Sequence, residues 1–329
     1  MTERTKVLYI TGWLRSGTTL LGNVLNELPG VVHAGELHYL WRNGMLRSGT
    51  NSVCGCGTQV RECPLWSSVT GLPAAGAMGD AGDAVSVAER MVAAQHAHLR
   101  TRHTRARLAE SRAGRPAPPA AAEVMDRTAD LYRALAAGGG ERLVVDGSKY
   151  PAEAAALIGR RDLDVRVLHM VRDPRAVALS HLSVKQYIEI MSPARSTGYW
   201  LGFNLASELV GAAAPDRYLR IRHEDFSADP AGVLGEVLAF AGLDDTPPVD
   251  STGTVTLGVN HTVTGNPDRL ARGATRIRSE ERWRTDLPAR HAATATAVAL
   301  PLLARYRYPL APAPSRARTG RESLTWTSD

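Results

Sequence analysis

The sequence predicts an α/β fold in three layers, with a central parallel sheet flanked by helices and a mostly helical insertion. Short β-branched and aromatic runs alternate with segments whose apolar residues recur at helical spacing, and strands separated by helices are typical of a parallel sheet. One long stretch, residues 42–140, lacks strand character. The composition, with 44% hydrophobic and 22% charged residues in a chain of 329, is ordinary for a globular protein.

The first elements are a strand, a glycine loop and a helix. Residues 7–10 (Val-Leu-Tyr-Ile) predict a buried strand that ends in a turn at Gly12. Apolar residues at positions 20, 21, 24, 25 and 28 then follow the 3.6-residue period of a helix, and Pro29-Gly30 ends it. Residues 31–32 begin a second short strand, so we expect Glu36 near its carboxyl end.

The alternation of strands and helices resumes after the insertion. Further buried strands are predicted at residues 143–146, 165–171 and 218–221. Asp173-Pro174 and Asp229-Pro230 each offer an N-cap followed by a first-turn proline, and so predict two more helices, to about residue 189 and to about residue 242. Within the insertion, helical patterns at 85–111 and 121–137 are separated by a proline-rich break.

The whole chain is predicted to be a single domain over residues 1–310 with a tail at 311–329. The tail is rich in Pro, Ala, Arg and Ser, a composition typical of disorder. The start of the chain resembles no signal peptide, which favours a cytoplasmic location. The longest apolar stretch, residues 292–304, is shorter than the roughly 20 residues that a membrane-spanning helix needs, so no membrane span is expected.

Charge and composition restrict the partners. A net charge of +6 suits an anionic ligand. Nucleic-acid binding is not expected, because aromatic residues, on which bases stack, make up only 5% of the chain. The cationic residues are almost all arginine, and the three lysines are Lys6, Lys149 and Lys185. Because the chain otherwise uses arginine, a lysine indicates a position that requires a compact ammonium group. The oligomeric state is not predicted.

Three cysteines, Cys54, Cys56 and Cys63, form a C-x-C-x6-C cluster beside glycines and a proline. A zinc site needs about four ligands, and this cluster lacks a well-spaced fourth in the sequence. We therefore expect a tight surface loop with a local disulfide or free thiols, and no metal.

Residues 12–19 carry the main chemical signal. Their G-x4-G spacing, between a strand and a helix, is that of a loop whose N–H groups and helix N-terminus surround an anion. An ATP-binding loop of this spacing continues with Lys and then Ser or Thr, but here Thr18 and Thr19 follow Gly17, and the cation is Arg15. The loop is predicted to hold an anion with different chemistry. The alternative is a glycine turn that only connects strand to helix.

The segment Arg15-Ser16-Gly17-Thr18-Thr19 resembles the donor loop of the sulfotransferases that use 3′-phosphoadenylyl sulfate (PAPS). Residues 168–180 are similar to the same family's second motif, in which an arginine that ends a strand and a serine eight residues later hold the 3′-phosphate. By this resemblance those residues are Arg172 and Ser180. The family implies a P-loop-type fold.

Further segments support the resemblance. Residues 145–149 are similar to the segment that places a lysine, here Lys149, near the transferring group. Residues 264–269 resemble a bacterial Gly-Asn-Pro-x-Arg segment that closes over the nucleotide, which implies Gly265, Asn266 and Arg269 as nucleotide contacts; Arg269 could equally be a surface residue. In the segment resembling R-Y-E-D-L, His223 replaces the tyrosine.

The resemblance implies attack by an acceptor hydroxyl or amine on the sulfur of PAPS, with release of adenosine 3′,5′-bisphosphate and no metal requirement. Some members use glutamate as the base in a Gly-Glu pair after the first helix, which implies Glu36; His33 is the alternative but is more typical of a packed residue. Arg15 and Lys149 are expected to stabilise developing charge.

The arginine and alanine content favours a bacterial source, and the expected acceptor is a glycan or secondary metabolite, with peptide tyrosine also open. A small-molecule kinase and a non-catalytic nucleotide-binding protein are the competing interpretations.

Overall fold

A computed structural model of the protein describes residues 4–49, 51–71, 81–140, 142–182 and 189–310. The strands are β1 Thr5–Thr11, β2 Val31–Gly35, β3 Leu143–Lys149, β4 Leu163–Val171, β5 Tyr218–Arg222, β6 Thr254–Leu257 and β7 Gly273–Arg276. The helices are α1 Thr18–Leu25, α2 Pro64–Thr70, α3 Ala81–His98, α4 Thr104–Ala113, α5 Pro119–Gly139, α6 Pro151–Ile158, α7 Pro174–Leu182, α8 Pro193–Ala213, α9 His223–Ala228, α10 Pro230–Ala241, α11 Trp283–Asp286 and α12 Ala289–Leu303.

Five strands form one sheet in the order β2-β3-β1-β4-β5, and every neighbouring pair is parallel. Successive side chains of a strand point to opposite faces, and the central strand β1 shows this directly. Val7 and Tyr9 lie in the core on one face, whereas Leu8 and Ile10 lie in the core on the other. The predicted parallel sheet flanked by helices is confirmed.

The two faces of the sheet are covered by different parts of the chain. Helices α3, α5 and α6 contribute to the core on the face of Val7 and Tyr9. Helices α1 and α10, together with β6 and Ile277, contribute to the core on the other face. The insertion between β2 and β3 therefore builds much of one outer layer, and it contains α2 to α5.

Because the five strands are parallel, their carboxyl ends lie at one edge of the sheet. The glycine loop follows β1, Glu36 follows β2, Lys149 ends β3, Arg172 follows β4 and His223 follows β5. Ligands of open α/β sheets bind at this edge. The topology thus brings five chemically promising segments together.

Some elements differ from the sequence predictions. The helical pattern at 85–111 is two helices, α3 and α4, joined by a short turn at Thr101–His103. Helix α8 was not predicted, because Gly198, Gly202 and Gly211 lower its intrinsic helix propensity; it is held by packing against α7 and α12. Strands β6 and β7 form a separate antiparallel pair.

Two predictions about the ends of segments cannot be compared with the fold. The predicted disordered tail, residues 311–329, and the end of the helix predicted to reach about residue 189, with Lys185, lie outside the described residues. Among the residues that are described, no helix combines the length and the apolar character that a membrane span requires.

Candidate active site

The glycine loop between β1 and α1 adopts a conformation that depends on its residue types. Gly12 and Gly17 have φ of 138° and 90°. A Cβ at Gly12 would lie 2.3 Å from the Met170 carbonyl oxygen, and one at Gly17 would lie 2.5 Å from His223 Nδ1. Arg15 also has a positive φ, 69°. The loop ends at the N-terminus of α1, so it can present backbone N–H groups to an anion.

The loop borders a cavity of about 470 Å³, which we call the loop cavity. Its lining includes five cationic residues, Arg15, Arg42, Lys149, Arg172 and Arg278, and three acidic residues, Glu36, Asp268 and Glu280. Five positive and three negative charges leave a net charge of +2, which favours an anionic ligand. Of the residues predicted from sequence, the lining contains Arg15, Gly17, Thr18, Thr19, Glu36, Lys149, Arg172, Gly265 and Asn266.

The two most specific sequence motifs meet beside this cavity. Arg15 Nε donates a hydrogen bond of 2.8 Å to Ser180 Oγ, and Arg172 Nη1 donates one of 3.0 Å to the Arg15 carbonyl oxygen. These three residues line a small recess of about 170 Å³ together with Glu280 and Arg282. The structure therefore places Arg172 and Ser180 together, as the resemblance implies for a phosphate site.

Arg269 lies inside the protein. Its side chain is buried, and its guanidinium donates to the carbonyl oxygens of Thr262 at 3.2 Å and Val53 at 2.6 Å. It is absent from the described lining of the loop cavity. Arg269 is therefore not a surface residue, and its contact with the nucleotide stays a prediction.

Glu36 and Lys149 form a buried ion pair between two cavities. Lys149, which has a φ of 76°, donates from Nζ to Glu36 Oε1 and, at 3.2 Å, to the Gly147 carbonyl oxygen. The Glu36 backbone N–H donates to the Val263 carbonyl oxygen at 2.7 Å, so this glutamate is held from the backbone as well. Both residues line the loop cavity and the neighbouring cavity.

The neighbouring cavity has a volume of about 740 Å³, and we call it the aromatic cavity. Five aromatic residues line it: Trp13, Tyr39, Tyr150, Tyr199 and Phe203. The Trp13 ring stacks on Tyr199 with a centroid distance of 5.3 Å and lies 4.7 Å from Phe203. Arg100, Arg102 and Arg105 of the insertion and Arg195 of α8 add positive charge to the lining.

Several residues of the site were not predicted as functional from the sequence. His223 lines the loop cavity, its Nδ1 is buried with no hydrogen-bond partner among the described residues, and burial lowers its pKa to about 3. His33, the alternative base, lies buried against Gly22, with a pKa lowered to about 3 by burial. His33 is thus a packed, neutral residue. For His223, the sequence signal that could have indicated a role in the site was the histidine that stands where the family motif has tyrosine.

A buried polar network supports the end of β3. Asp146 Oδ1 accepts from the Ser148 backbone N–H at 2.8 Å, and Asp146 Oδ2 accepts from the Tyr132 hydroxyl at 2.6 Å. Burial raises the pKa of Asp146 to about 6. Nearby, His38 Nδ1 lies 2.5 Å from Glu153 Oε1. These groups support the backbone that carries Lys149.

The cysteine cluster differs from the expected surface loop. Cys54 and Cys63 are fully buried, Cys56 is half-buried, and none of the three is in a disulfide. The Cys54 and Cys63 sulfurs are 3.6 Å apart, against about 2.05 Å in a disulfide. A fourth group with a metal-binding atom, His261, lies beside them. Sequence spacing could not reveal it, because His261 follows Cys63 by 198 residues.

The fold and the site together define a P-loop-type α/β protein whose glycine loop lacks the usual lysine. A family model described as "Sulfotransferase family" matches residues 8–247. The chain belongs to the sulfotransferase family, a family of transferase enzymes whose usual donor is PAPS.

Among curated proteins, the chain is similar to two carbohydrate sulfotransferases of Mus musculus. It is 32% identical to carbohydrate sulfotransferase 5 over 26% of this chain and 27% of that protein. It is 23% identical to carbohydrate sulfotransferase 2 over 73% of this chain and 54% of that protein. The chain thus spans about half or less of the length of these relatives.

Two solved structures share the fold. The sulfotransferase domain of the olefin synthase from Synechococcus PCC 7002 has a TM-score of 0.54 and 20% identity, over 94% of this chain and 98% of that domain. The sulfotransferase domain from the curacin biosynthetic pathway has a TM-score of 0.53 and 18% identity, over 94% of this chain and all of that domain (100%). At these identities the likeness concerns the fold.

Proposed function

We propose that this protein transfers a sulfuryl group from PAPS to a hydroxyl or amine of a glycan or secondary metabolite. The observation that carries the proposal is the position of Glu36 and Lys149. Both line the loop cavity and the aromatic cavity, so an anionic donor in the first and an acceptor in the second would meet at this ion pair. A base and a cation at the meeting point are what group transfer to a hydroxyl requires.

The residues around the loop cavity fit the donor. Ser16 Oγ and His223 Nδ1 are buried and have no hydrogen-bond partner among the described residues, so a bound ligand could satisfy them. Arg172 and Ser180 lie together at the recess and would hold a 3′-phosphate. The loop N–H groups and Arg15 would hold the 5′-phosphosulfate. When bound, PAPS would supply a sulfuryl group on a phosphate leaving group.

In the proposed reaction Glu36 accepts the acceptor's proton. The acceptor oxygen or nitrogen forms a bond to sulfur as the bond between sulfur and the bridging phosphate oxygen breaks. Lys149, already bound to Glu36 Oε1, places its ammonium group where negative charge develops on the leaving oxygen. The proton ends on Glu36, and the released charge remains on the bisphosphate beside Lys149 and Arg15.

The kinase interpretation requires an acidic residue for Mg²⁺ at the end of a strand, and Asp146, the last residue of the strand predicted at 143–146, stands in that place. Asp146 is instead buried, with only 1% of the residue exposed. Its carboxylate accepts hydrogen bonds from the Tyr132 hydroxyl and the Ser148 backbone N–H. The glycine loop also has no lysine. The lysine that binds the phosphates of ATP and the acidic residue that binds Mg²⁺ are therefore both missing from their usual places.

The aromatic cavity supports an acceptor with an apolar or ring-shaped body and an anionic group. Its aromatic walls offer stacking faces, and four arginines lie along its lining. Trp13 Nε1 is buried without a hydrogen-bond partner among the described residues, and it offers a donor to the acceptor. Sugars with acidic substituents and hydroxylated acids of secondary metabolism both match this description.

The test is a donor assay with two arms. The protein is incubated with PAPS or with Mg-ATP and a panel of hydroxylated and amino acceptors, neutral and anionic, and nucleotides and products are separated by chromatography with mass detection. We expect adenosine 3′,5′-bisphosphate and a sulfated product in the PAPS arm, with anionic acceptors preferred. Release of ADP without bisphosphate binding would contradict the proposal in favour of a kinase. Bisphosphate binding without turnover of any acceptor would favour the non-catalytic alternative.

A further inference from the structure

A cluster of three thiols and one imidazole lies outside the residues that the proposed reaction uses. Its members are Cys54, Cys56, Cys63 and His261, and their sulfur and nitrogen atoms all lie within 4.8 Å of one another. We infer that these four residues form a structural zinc site. The inference is independent of the proposed function, since none of the four residues takes part in the reaction described above.

The distances match the edges of a zinc tetrahedron. With Zn–S of about 2.3 Å and Zn–N of about 2.0 Å, tetrahedral geometry places sulfurs about 3.8 Å apart and sulfur and nitrogen about 3.5 Å apart. The observed sulfur separations are 3.6 Å for Cys54 and Cys63 and 3.8 Å for Cys56 and Cys63. His261 Nδ1 lies 3.2 Å from the Cys63 sulfur and 3.8 Å from the Cys54 sulfur.

The local backbone aims the thiols at one point. A β-bridge joins Val53 to Gln59, and the Cys54 backbone N–H donates to the Thr58 carbonyl oxygen at 2.7 Å. Gly57, with a φ of 100°, makes the turn between them and donates to the Cys54 carbonyl oxygen at 2.9 Å. A glycine-turn hairpin with cysteines two residues apart is a compact way to direct two thiolates to one ion.

His261 is brought to the hairpin by contacts that do not involve its ring. The Trp66 indole Nε1 donates to the His261 carbonyl oxygen at 2.7 Å, and the Gly55 backbone N–H donates to the Thr262 carbonyl oxygen at 2.9 Å. Gly55 has no room for a side chain, because a Cβ there would lie 1.9 Å from Asn260 Oδ1. The imidazole is therefore positioned beside the thiols before any metal binds.

The surrounding charges also fit a bound zinc. Three thiolates, a neutral imidazole and Zn²⁺ carry a net charge of −1, and each coordinating thiol releases its proton to solvent without any redox step. Arg269 is fully buried. It donates to the Val53 carbonyl oxygen, and Arg272 donates to that of Gly55 at 2.6 Å, so both cations border the hairpin. A buried cation needs a compensating negative charge.

Zinc is the metal that this donor set selects. Three thiolates and an imidazole in tetrahedral array are typical of structural zinc, and four protein ligands leave no open position for a substrate. The alternative without a metal is a packed cluster of protonated thiols around a histidine. That alternative explains burial, but it explains neither the four separations close to tetrahedral edges nor the cations that border the cluster.

The site would connect the insertion to the wall of the loop cavity. His261 precedes Val263, which forms a β-bridge to Gly35 and accepts from the Glu36 backbone N–H. Thr264, Gly265 and Asn266 then line the loop cavity. Zinc binding would thus stabilise the segment that orients Glu36 and closes one side of the cavity.

The first experiment is elemental analysis of the full chain purified without chelators, followed by cobalt titration of the reduced, zinc-free protein. We expect about one zinc per chain, and with Co²⁺ the thiolate charge-transfer and intense visible bands of a tetrahedral thiolate site. The wild-type titration needs no substitution, so a variant that fails to fold does not affect it. Protein without zinc that also shows no thiolate bands with cobalt would overturn the inference.

The second experiment uses variants at the more accessible ligands. Cys56→Ser and His261→Ala are expected to weaken zinc affinity at least about tenfold, since loss of a group that only orients a metal ligand already costs about 10- to 100-fold, and to lower the melting temperature. His96→Ala, at an exposed histidine of α3, is the matched control and should leave both unchanged. Wild-type zinc affinity in His261→Ala would contradict the four-ligand site, while leaving the proposed sulfuryl transfer untouched.

Discussion

The loop cavity and the aromatic cavity meet at Glu36 and Lys149 but are built in different ways. The glycine loop, the start of α1 and the strand ends at one edge of the sheet form about half of the lining of the loop cavity. Residues of the segments 39–51 and 264–280 form the rest, and the lining is highly charged. Helix α8 and residues 100–105 of the insertion form much of the aromatic cavity. In the proposed reaction, the difference implies that the anionic donor would be held largely by backbone geometry fixed by the sheet, whereas the acceptor would be held by side chains of helices outside it. Substitutions in one cavity should therefore affect one substrate only.

Glu36 and Lys149 line both cavities, so a substitution in this ion pair should affect the reaction between the two substrates and not the binding of one of them. Glu36→Gln removes the proton acceptor but keeps the shape of the side chain, so we expect turnover to fall about 10²- to 10⁴-fold, the usual contribution of a general base. The dissociation constant of adenosine 3′,5′-bisphosphate should change little. Turnover is measured by product formation and binding by calorimetry.

The matched control for this substitution is Glu236→Gln, at an exposed glutamate of α10 that lines neither cavity. It should retain wild-type turnover. Full activity in Glu36→Gln would remove Glu36 from the proposed role of base.

The buried network beneath Lys149 should make stability depend on pH. Asp146 has a folded-state pKa of about 6 against an ordinary value of 3.8, because burial disfavours its charged form. Its protonation therefore stabilises the fold at low pH, and this contribution is lost as the pH rises from about 4 through 6. The shift corresponds to up to about 3 kcal/mol of unfolding free energy.

The measurement compares denaturant unfolding of the wild type and Asp146→Asn between pH 4 and 7.5. Wild type should lose stability relative to the variant as the pH rises, since the asparagine does not titrate. A constant difference across this range would show that Asp146 does not titrate as stated.

On the loop-cavity side, Arg172→Ala should remove recognition of the 3′-phosphate. A hydrogen bond to a charged group contributes about 1.5–3 kcal/mol, so binding of adenosine 3′,5′-bisphosphate should weaken about 10- to 150-fold. Binding of adenosine 5′-monophosphate, which lacks the 3′-phosphate, should change much less, and calorimetry with both ligands measures the contrast.

Arg127→Ala, at an exposed arginine of α5, is the control and should bind both nucleotides as wild type does. Equal weakening for both nucleotides in Arg172→Ala would indicate that Arg172 acts through the shape of the loop and not through a 3′-phosphate.

On the aromatic-cavity side, Tyr199→Ala should affect the acceptor alone. Tyr199 stacks on Trp13 but is 44% exposed, so its loss should not unfold the protein. Aromatic pairs contribute about 0.5–1.5 kcal/mol, which corresponds to a rise of about 2- to 12-fold in the KM for the acceptor. Tyr199→Phe should behave as wild type, and a change in the KM for PAPS in either variant would contradict the separation of the two cavities.

Much of the sheet was predictable because its signals are local. The β-branched run of β1, the glycine loop and the Asp-Pro starts of α7 and α10 lie where the sequence predicts them. Helix α8 was missed since its glycines weaken the local signal and its stability comes from packing. The burial of Arg269 could not be predicted, because the carbonyl oxygens that its guanidinium binds are 7 and 216 residues away along the chain.

By itself, the sequence determined the glycine loop, its missing lysine and the parallel strands that carry it, because spacing, residue type and hydrophobic period are local properties of the chain. Only the tertiary structure decided which distant groups meet. It joined Arg172 and Ser180 to Arg15, placed Glu36 against Lys149, and brought His261 to three cysteines that the sequence left without a fourth ligand. These contacts join residues far apart in the sequence. They depend on how strands, loops and helices pack in space, which local sequence patterns do not specify.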